Sequence, residues 1–360
     1  VLKLRVLKAK NGDSILVSWL HEGMTRNLLI DGGSGPVYKT RQRKGSLYNA
    51  LEEIKASGQR IDKTVVTHVD DDHIGGVLNA FKSGELLEEL CDQVWFNSGR
   101  AIKQAYDNDT APDNELELER ANLSDGRTSI RQGVSLEDRL TQLQIWDGKI
   151  IEAGYVSEFF GAKITVLSPS RVNLEKLLFK WEREAPSSLT SGGSNDYDKS
   201  LEELIATDKY ISDSSPHNGS SIALLFEFGS KKLLLLGDAF DHIVASTICQ
   251  IKDQNGNYYS ENNKLEVEYV KLSHHGSEYN TSNNLLDIIK CQNYIISTDG
   301  SAHNLPNKRT IARILEKVDE PNIIFNYPQL IDRIFTQKEI EKLSMSGIKL
   351  SDSDDVINVG

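Results

Sequence analysis

The chain has 360 residues, a net charge of −12 and no apolar run near the roughly 20 residues that span a bilayer. Its 38% hydrophobic and 26% charged residues are those of an ordinary globular protein with ample core. Three scattered cysteines, Cys91, Cys249 and Cys291, exclude a disulfide framework and a zinc–cysteine motif, and so acidic a chain needs a local basic groove or metal ions to hold nucleic acid.

The first thirty residues read as strands. LKLRVL alternates apolar and polar positions, and SILVSWL and NLLID follow across polar turns. No apolar signal core precedes them, so a cytoplasmic protein is expected. GSLYNALEEIKASG is amphipathic and closes on Gly58, which predicts a helix. KTVVTH is a short β-branched strand, IGGVLNAFKSG starts a helix, and DQVWFN is a strand. Residues 99–155 turn polar and helical (DNELELERANL, VSLEDRLTQLQIW) and read as an insertion. KITVLSPS is a strand. Residues 171–215 read as a second insertion; a Ser/Gly/Asn/Asp-rich run there, SSLTSGGSNDYDKS, is expected to be a mobile loop. SIALLFEF and KLLLLGD make a hairpin whose second strand is apolar throughout, hence buried on both faces. The helix AFDHIVASTICQI, the strands LEVEYVKL and NYIIST, and the helix NKRTIARILEKV follow. The last forty residues hold one more strand, IIFNY, and an acidic tail, SDSDD. The expected division is a main domain over 1–320 and a C-terminal extension over 321–360.

THVDDDHIGG, residues 67–76, places three aspartates between two histidines directly after a predicted strand. Side chains two apart, at His68 and Asp70, fall on one side of a tight loop, and Asp72 and His73 begin the next turn. That spacing offers two ligand pairs suited to two metal ions roughly 3.5–4 Å apart. Divalent ions also answer the mutual repulsion of the carboxylates. Gly75 and Gly76 let the helix N-terminus approach closely. Asp31, Asp238, His274, His275 and His303 each follow a predicted strand as well, so all can converge at one sheet edge.

HVDDDH resembles the HxHxDH hallmark of the metallo-β-lactamase fold superfamily, with Asp70 where the hallmark has its second histidine. The HxDxDH form resembles the soluble domain of the bacterial competence protein ComEC. KAKNGDSILVSW, LLIDGG, SSIALLFEFGSKKLLLLGD, VKLSHHGS and IISTDGSAHNLP agree in order and context. The resemblance covers most of residues 1–320 apart from the insertions. It implies an α/β (α+β) fold, an αββα sandwich with two insertions and a dinuclear site at one edge. By the same resemblance His68 and Asp70 serve a first metal, Asp72 and His73 a second, Asp238 bridges, and His303 ligates the second. Asp31 supports the site by bonding a ligand. His217, in PHNGSSIAL, is either a ligand of the first metal or a loop histidine beside an Asn218/Ser221 motif. One of His274 and His275 can bind metal and the other donate a proton. The oxygen-rich set shifts preference from zinc toward manganese.

Two bridged metals point to hydrolysis, with Asp72 or Asp31 orienting the water. Lys39, Arg41 and Arg43 in YKTRQRKG, and Lys271 three residues before His274, are expected at the rim, where they would take an anionic substrate. The resemblance to ComEC implies cleavage of DNA, and the insertions could hold protein partners. A small-molecule ester, lactone or phosphoester hydrolase and a metal-stabilised binding module are the competing readings.

Overall fold

The computed structural model describes residues 1–106, 128–183, 195–353 and 356–360. The predicted helical stretch DNELELERANL, and most of the Ser/Gly-rich run, lie outside the described residues.

Two sheets face each other. The first runs Ile357–Val359, Leu2–Val6, Ile15–His21, Met24–Ile30, Lys63–Val65, Val94–Trp95. The second runs Lys349–Asp352, Asn322–Phe325, Asn293–Ile296, Tyr269–Lys271, Lys231–Leu235, Ala223–Phe228, Ala162–Ser168, Val156–Phe159. Leu2, Leu4, Val17, Trp19 and Leu28 of the first sheet pack on Ile164, Val166, Leu224, Phe226 and Leu233 of the second. Burying each such side chain contributes about 1.5–3 kcal/mol. The outer face of the first sheet is covered by helices that include Ser46–Ala56, Asp71–Ala80 and Thr128–Leu143. That of the second is covered by Asp241–Ile248, Lys308–Lys317 and their neighbours. The result is the expected αββα sandwich.

Local pattern explains the elements. Leu233 and Leu235 of the apolar strand face the other sheet, while Leu234 and Leu236 face the helices, as a strand buried on both faces requires. Leu47, Ala50, Leu51 and Ile54 make one buried helical stripe, and Gly58, at φ 66°, ends that helix region in the left-handed conformation.

Three features differ from the sequence reading. LEVEYVKL is two strands: Leu265–Glu266 pairs with Ile289–Lys290 in a separate ribbon, and only Tyr269–Lys271 enters the large sheet. The second insertion, for which no helix was expected, holds the helices Arg171–Arg183 and Leu201–Ala206. The C-terminal extension adds two strands that were not expected: Lys349–Asp352, which takes in the start of the acidic stretch, extends the second sheet, and Ile357–Val359 pairs with Leu2–Leu4 of the first.

Candidate metal centre

The strands set the site. Met24–Ile30 and Lys63–Val65 are parallel, and so are Lys231–Leu235 and Tyr269–Lys271. Their C-terminal ends deliver Asp31, His68, Asp238 and the His274–His275 pair to one edge. Ile15–His21 and Ala223–Phe228 run antiparallel to these neighbours, so Asp13 and His217, which precede them, reach the same edge.

Asp70 occupies the N-cap position of helix Asp71–Ala80, yet its side chain makes no capping bond. It turns instead to His217, whose Nδ1 donates to Asp70 Oδ1 at 2.6 Å. Asp71 is exposed and accepts from Gln132 of the first insertion at 2.6 Å. Asp72 turns inward, where Asn11 donates to its Oδ2 at 3.0 Å. Glycines permit this docking: a Cβ on Gly76 would lie 2.0 Å from the Gly32 carbonyl oxygen.

Four buried histidines share one tautomer. His73 Nδ1 donates to Asp31 Oδ2 at 2.7 Å. His275 Nδ1 faces the Ser297 carbonyl at 2.8 Å, which can only accept. His217 Nδ1 donates to Asp70. The Thr67 hydroxyl gives its proton to Asp31 Oδ2 at 2.7 Å, so it must accept from His68 Nδ1 at 3.0 Å. Each ring therefore carries a proton on Nδ1, and Nε2 is the atom left to take a metal ion or a second proton. All four Nε2 atoms are buried without a hydrogen-bond partner, as is Asp238 Oδ1. Such groups are costly to bury unless something binds them.

Asp238 lies at the centre. Its Oδ1 is 3.4 Å from His73 Nε2 and 3.7 Å from His275 Nε2, and its Oδ2 is 3.8 Å from His68 Nε2. Asp70 Oδ2 lies 3.6 Å from His68 Nε2, and Asp72 Oδ2 lies 3.6 Å from His275 Nε2. These spacings are too long for hydrogen bonds. They suit donors sharing a cation, since two ligands each about 2.0–2.2 Å from one tetrahedral ion lie roughly 3.4 Å apart. His68, His73 and Asp238 form one compact ligand group, and Asp72, His73 and His275 another. The residues present fit a divalent-metal centre.

Charge agrees with geometry. Burial would raise the Asp238 carboxyl, but the imidazoles of His73, His275 and His274 hold it well below the usual range. Burial likewise raises Asp70, and its bond with His217 and the nearby His68 imidazole bring it well below. Burial pushes the His275 imidazole down; Asp238 and Asp13 overcome this and lift it to about 9. The carboxylates demand positive charge, which metal ions and protons on Nε2 compete to provide.

His274 and His275 both adopt left-handed backbone, at φ 45° and 55°. Each such residue costs of order 1–3 kcal/mol, and such strain persists only where the surroundings enforce it. The turn sets the two rings 70° apart. His275 faces Asp72 and Asp238. His274, part-exposed, bonds Asn280 Oδ1 through Nδ1 at 3.1 Å and keeps its Nε2 3.9 Å from Asp238 Oδ2.

Several expectations are corrected. His303 is exposed, with no hydrogen bond or ion pair among the described residues; His275 is the histidine that faces Asp72 and Asp238. Lys271 has no exposed surface and is paired with Asp13, so it cannot meet substrate at a rim. Asp31 is fully buried, with both oxygens bonded to Thr67 and His73, so it does not orient a water. Lys39 is tied to Glu85, while Arg41 and Arg43 are exposed without an ion-pair partner among the described residues. Asn218 bonds Asp213 and His274 and leaves the first group to His217. Asp13, Thr67, Ser297 and Asn280 were missed. The NGDS turn before a strand was the only signal for Asp13.

The orienting role of Asp31 is testable. Asp31→Ala should weaken metal binding about 10–100-fold, as loss of a group that orients a ligand does, while Asp71→Ala should leave it unchanged. Chelator competition measures both, and equal losses would contradict the assignment.

Residues 11–122 match the metallo-beta-lactamase superfamily model. That segment holds Asp31 and the His68–His73 cluster; His217, Asp238, His274 and His275 lie beyond it. No curated protein matches the chain. Among solved structures, CmlA, a diiron β-hydroxylase from Streptomyces venezuelae, is 10% identical with a TM-score of 0.39, covering 99% of this chain and 53% of CmlA. The chain thus spans about half the length of that relative. The metallo-beta-lactamase fold protein YhfI from Bacillus subtilis is 10% identical, with a TM-score of 0.41 and coverage of 99% and 98%. Zn(2+)-bound PqqB from Methylobacterium extorquens is 10% identical, with a TM-score of 0.41 and coverage of 99% of each chain. No helix among the described residues is long and apolar enough to cross a membrane. The matched segment supplies part of a ligand cluster that lies at the edge of an αββα sandwich, and over residues 11–122 the chain is similar to the metallo-beta-lactamase superfamily.

Proposed function

We propose that this protein is a dinuclear-metal hydrolase that cleaves DNA phosphodiester bonds, as its HxDxDH resemblance to ComEC implies. The observation that carries the hydrolase reading is the set of four buried Nε2 atoms without a hydrogen-bond partner, three of them facing Asp238 and the fourth on His217, which is bonded to Asp70. His68, Asp70, His217 and Asp238 would hold one ion; Asp72, His73, His275 and Asp238 would hold the other. Bound there, two divalent ions supply a hydroxide nucleophile near neutral pH and stabilise charge on the phosphoryl oxygens.

The chain's own groups do the rest. Asp31, Thr67 and Ser297 lock the ring orientations. His274 carries the transferable proton: burial lowers its pKa, but Asp238 and Asp213 raise it above the ordinary value. Its Nδ1 is engaged by the side-chain amides of Asn218 and Asn280, so Nε2 is the atom that protonates the leaving oxygen. Asp70, where the hallmark has histidine, makes the first group harder and favours manganese beside zinc. Arg41 and Arg43, without carboxylate partners among the described residues, suit a polyanion, whereas Lys39 and Lys44 are neutralised by Glu85 and Glu52.

The test is turnover of single- and double-stranded DNA by protein loaded with Mn²⁺ or Zn²⁺, beside ester and lactone substrates. DNA cleavage that His274→Ala lowers by about 10²–10⁴-fold, the usual share of general acid catalysis, is the expected result. Cleavage of esters alone would replace the nuclease reading with a small-molecule hydrolase.

A further inference from the structure

Lys271 and Asp13 are 258 residues apart and meet at the back of the centre. Lys271 ends a strand of the second sheet, and Asp13 precedes a strand of the first. Neither is open to solvent, at 0% and 1% exposure. Lys271 also donates to the Gly237 carbonyl at 3.3 Å, directly before Asp238. Asp13 Oδ1 is buried without a hydrogen bond and lies 3.5 Å from His275 Nδ1. With Asp238 and His275 it forms another compact ligand group.

A buried ammonium is costly, and replacing a buried ion pair by apolar residues is often neutral or stabilising. A merely mechanical bolt between the sheets therefore has no need of charge. The charge count suggests what the pair is for. Five carboxylates face or bond the four histidines: Asp13, Asp31, Asp70, Asp72 and Asp238. Two divalent ions and one lysine balance them.

We propose that Lys271 is a resident cation of the metal centre, whose charge, held against Asp13, sets how tightly the centre binds divalent ions. This rests on the reading of the cluster as a two-ion site. Lys271 repels an incoming cation and Asp13 attracts it, so removing each alone has opposite consequences. A structural bolt lacks this signature, because losing either half weakens the site.

The experiment is chelator competition for Zn²⁺ and Mn²⁺ on the full chain and three variants, with thermal melts of the metal-free forms. Asp13→Asn should weaken binding at least about tenfold, and Lys271→Met should tighten it by a similar factor. The double variant should return to within about threefold of wild type, the scatter of additive effects. A folded Lys271→Met variant that binds more weakly than wild type, or equally, overturns the proposal. If Lys271→Met does not fold, the other two decide: a double variant no better than Asp13→Asn overturns it, and restored affinity supports it. Wild-type protein that takes up neither ion removes the two-ion reading itself, and this proposal with it.

Discussion

Asp238→Asn is expected to empty both halves of the centre at once. The substitution keeps shape and volume but removes the charge that four imidazoles face. Breaking one side of a buried ionic cluster costs about 3–5 kcal/mol, which corresponds to roughly two to four powers of ten in affinity. Elemental analysis after dialysis should therefore find less than one ion per chain, and hydrolysis should fall with it. His303→Ala, at an exposed loop position, should change neither. A variant that kept two ions at wild-type affinity would show that Asp238 does not bridge.

Gly76→Ala is expected to damage fold and site together, although it touches no ligand. Its Cβ would meet the Gly32 carbonyl oxygen at 2.0 Å, and backbone cannot swing aside as a side chain does. Gly32 is itself fixed, since its N–H bonds the His73 carbonyl at 2.9 Å, and Gly76 N–H bonds Gly33 at 2.7 Å. Either the helix moves off the Asp31 loop, breaking the His73–Asp31 bond, or the loop distorts. The loss should be about 3 kcal/mol or more, at the upper end for overpacking. Gly58→Ala, with φ 66° and nothing within 4 Å of its Cβ, should cost only about 1 kcal/mol for backbone strain alone. Denaturant melts of the two variants compare backbone collision with backbone conformation. Similar losses would mean that the helix has room to shift.

What was legible in the sequence follows from the range of the interactions involved. Strand alternation and the helical stripe of Ser46–Ala56 are local patterns, and they placed the elements, whereas the sandwich was implied by the motif resemblance. His68, Asp70, Asp72 and His73 were legible because one loop carries them. Asp71 points elsewhere, to Gln132, because a helix start cannot aim three successive side chains at one point. Lys271 was misread because a lysine near a site looks like a substrate contact until its partner is known, and Asp13 lies in another sheet. His303 looked like a ligand by order along the chain, but the His274–His275 turn, with two left-handed residues in succession, brings His275 in instead. No periodicity announces such a turn. The terminal strands were hidden for a similar reason: Ile357–Val359 is too short to show alternation, and only its pairing with Leu2–Leu4 defines it.

The centre draws on both sheets, and this has a consequence for the order of assembly. Asp31 and the His68–His73 loop come from the first third of the chain, whereas Asp238 and His275 come from its last half. Closing such long loops is entropically slow, and contacts distant in sequence form late. The ligand cage should therefore be among the last parts of the molecule to become native. Ions that arrive then clamp the two sheets together, and opening the sandwich requires their release. Metal should accordingly slow unfolding far more than it speeds folding.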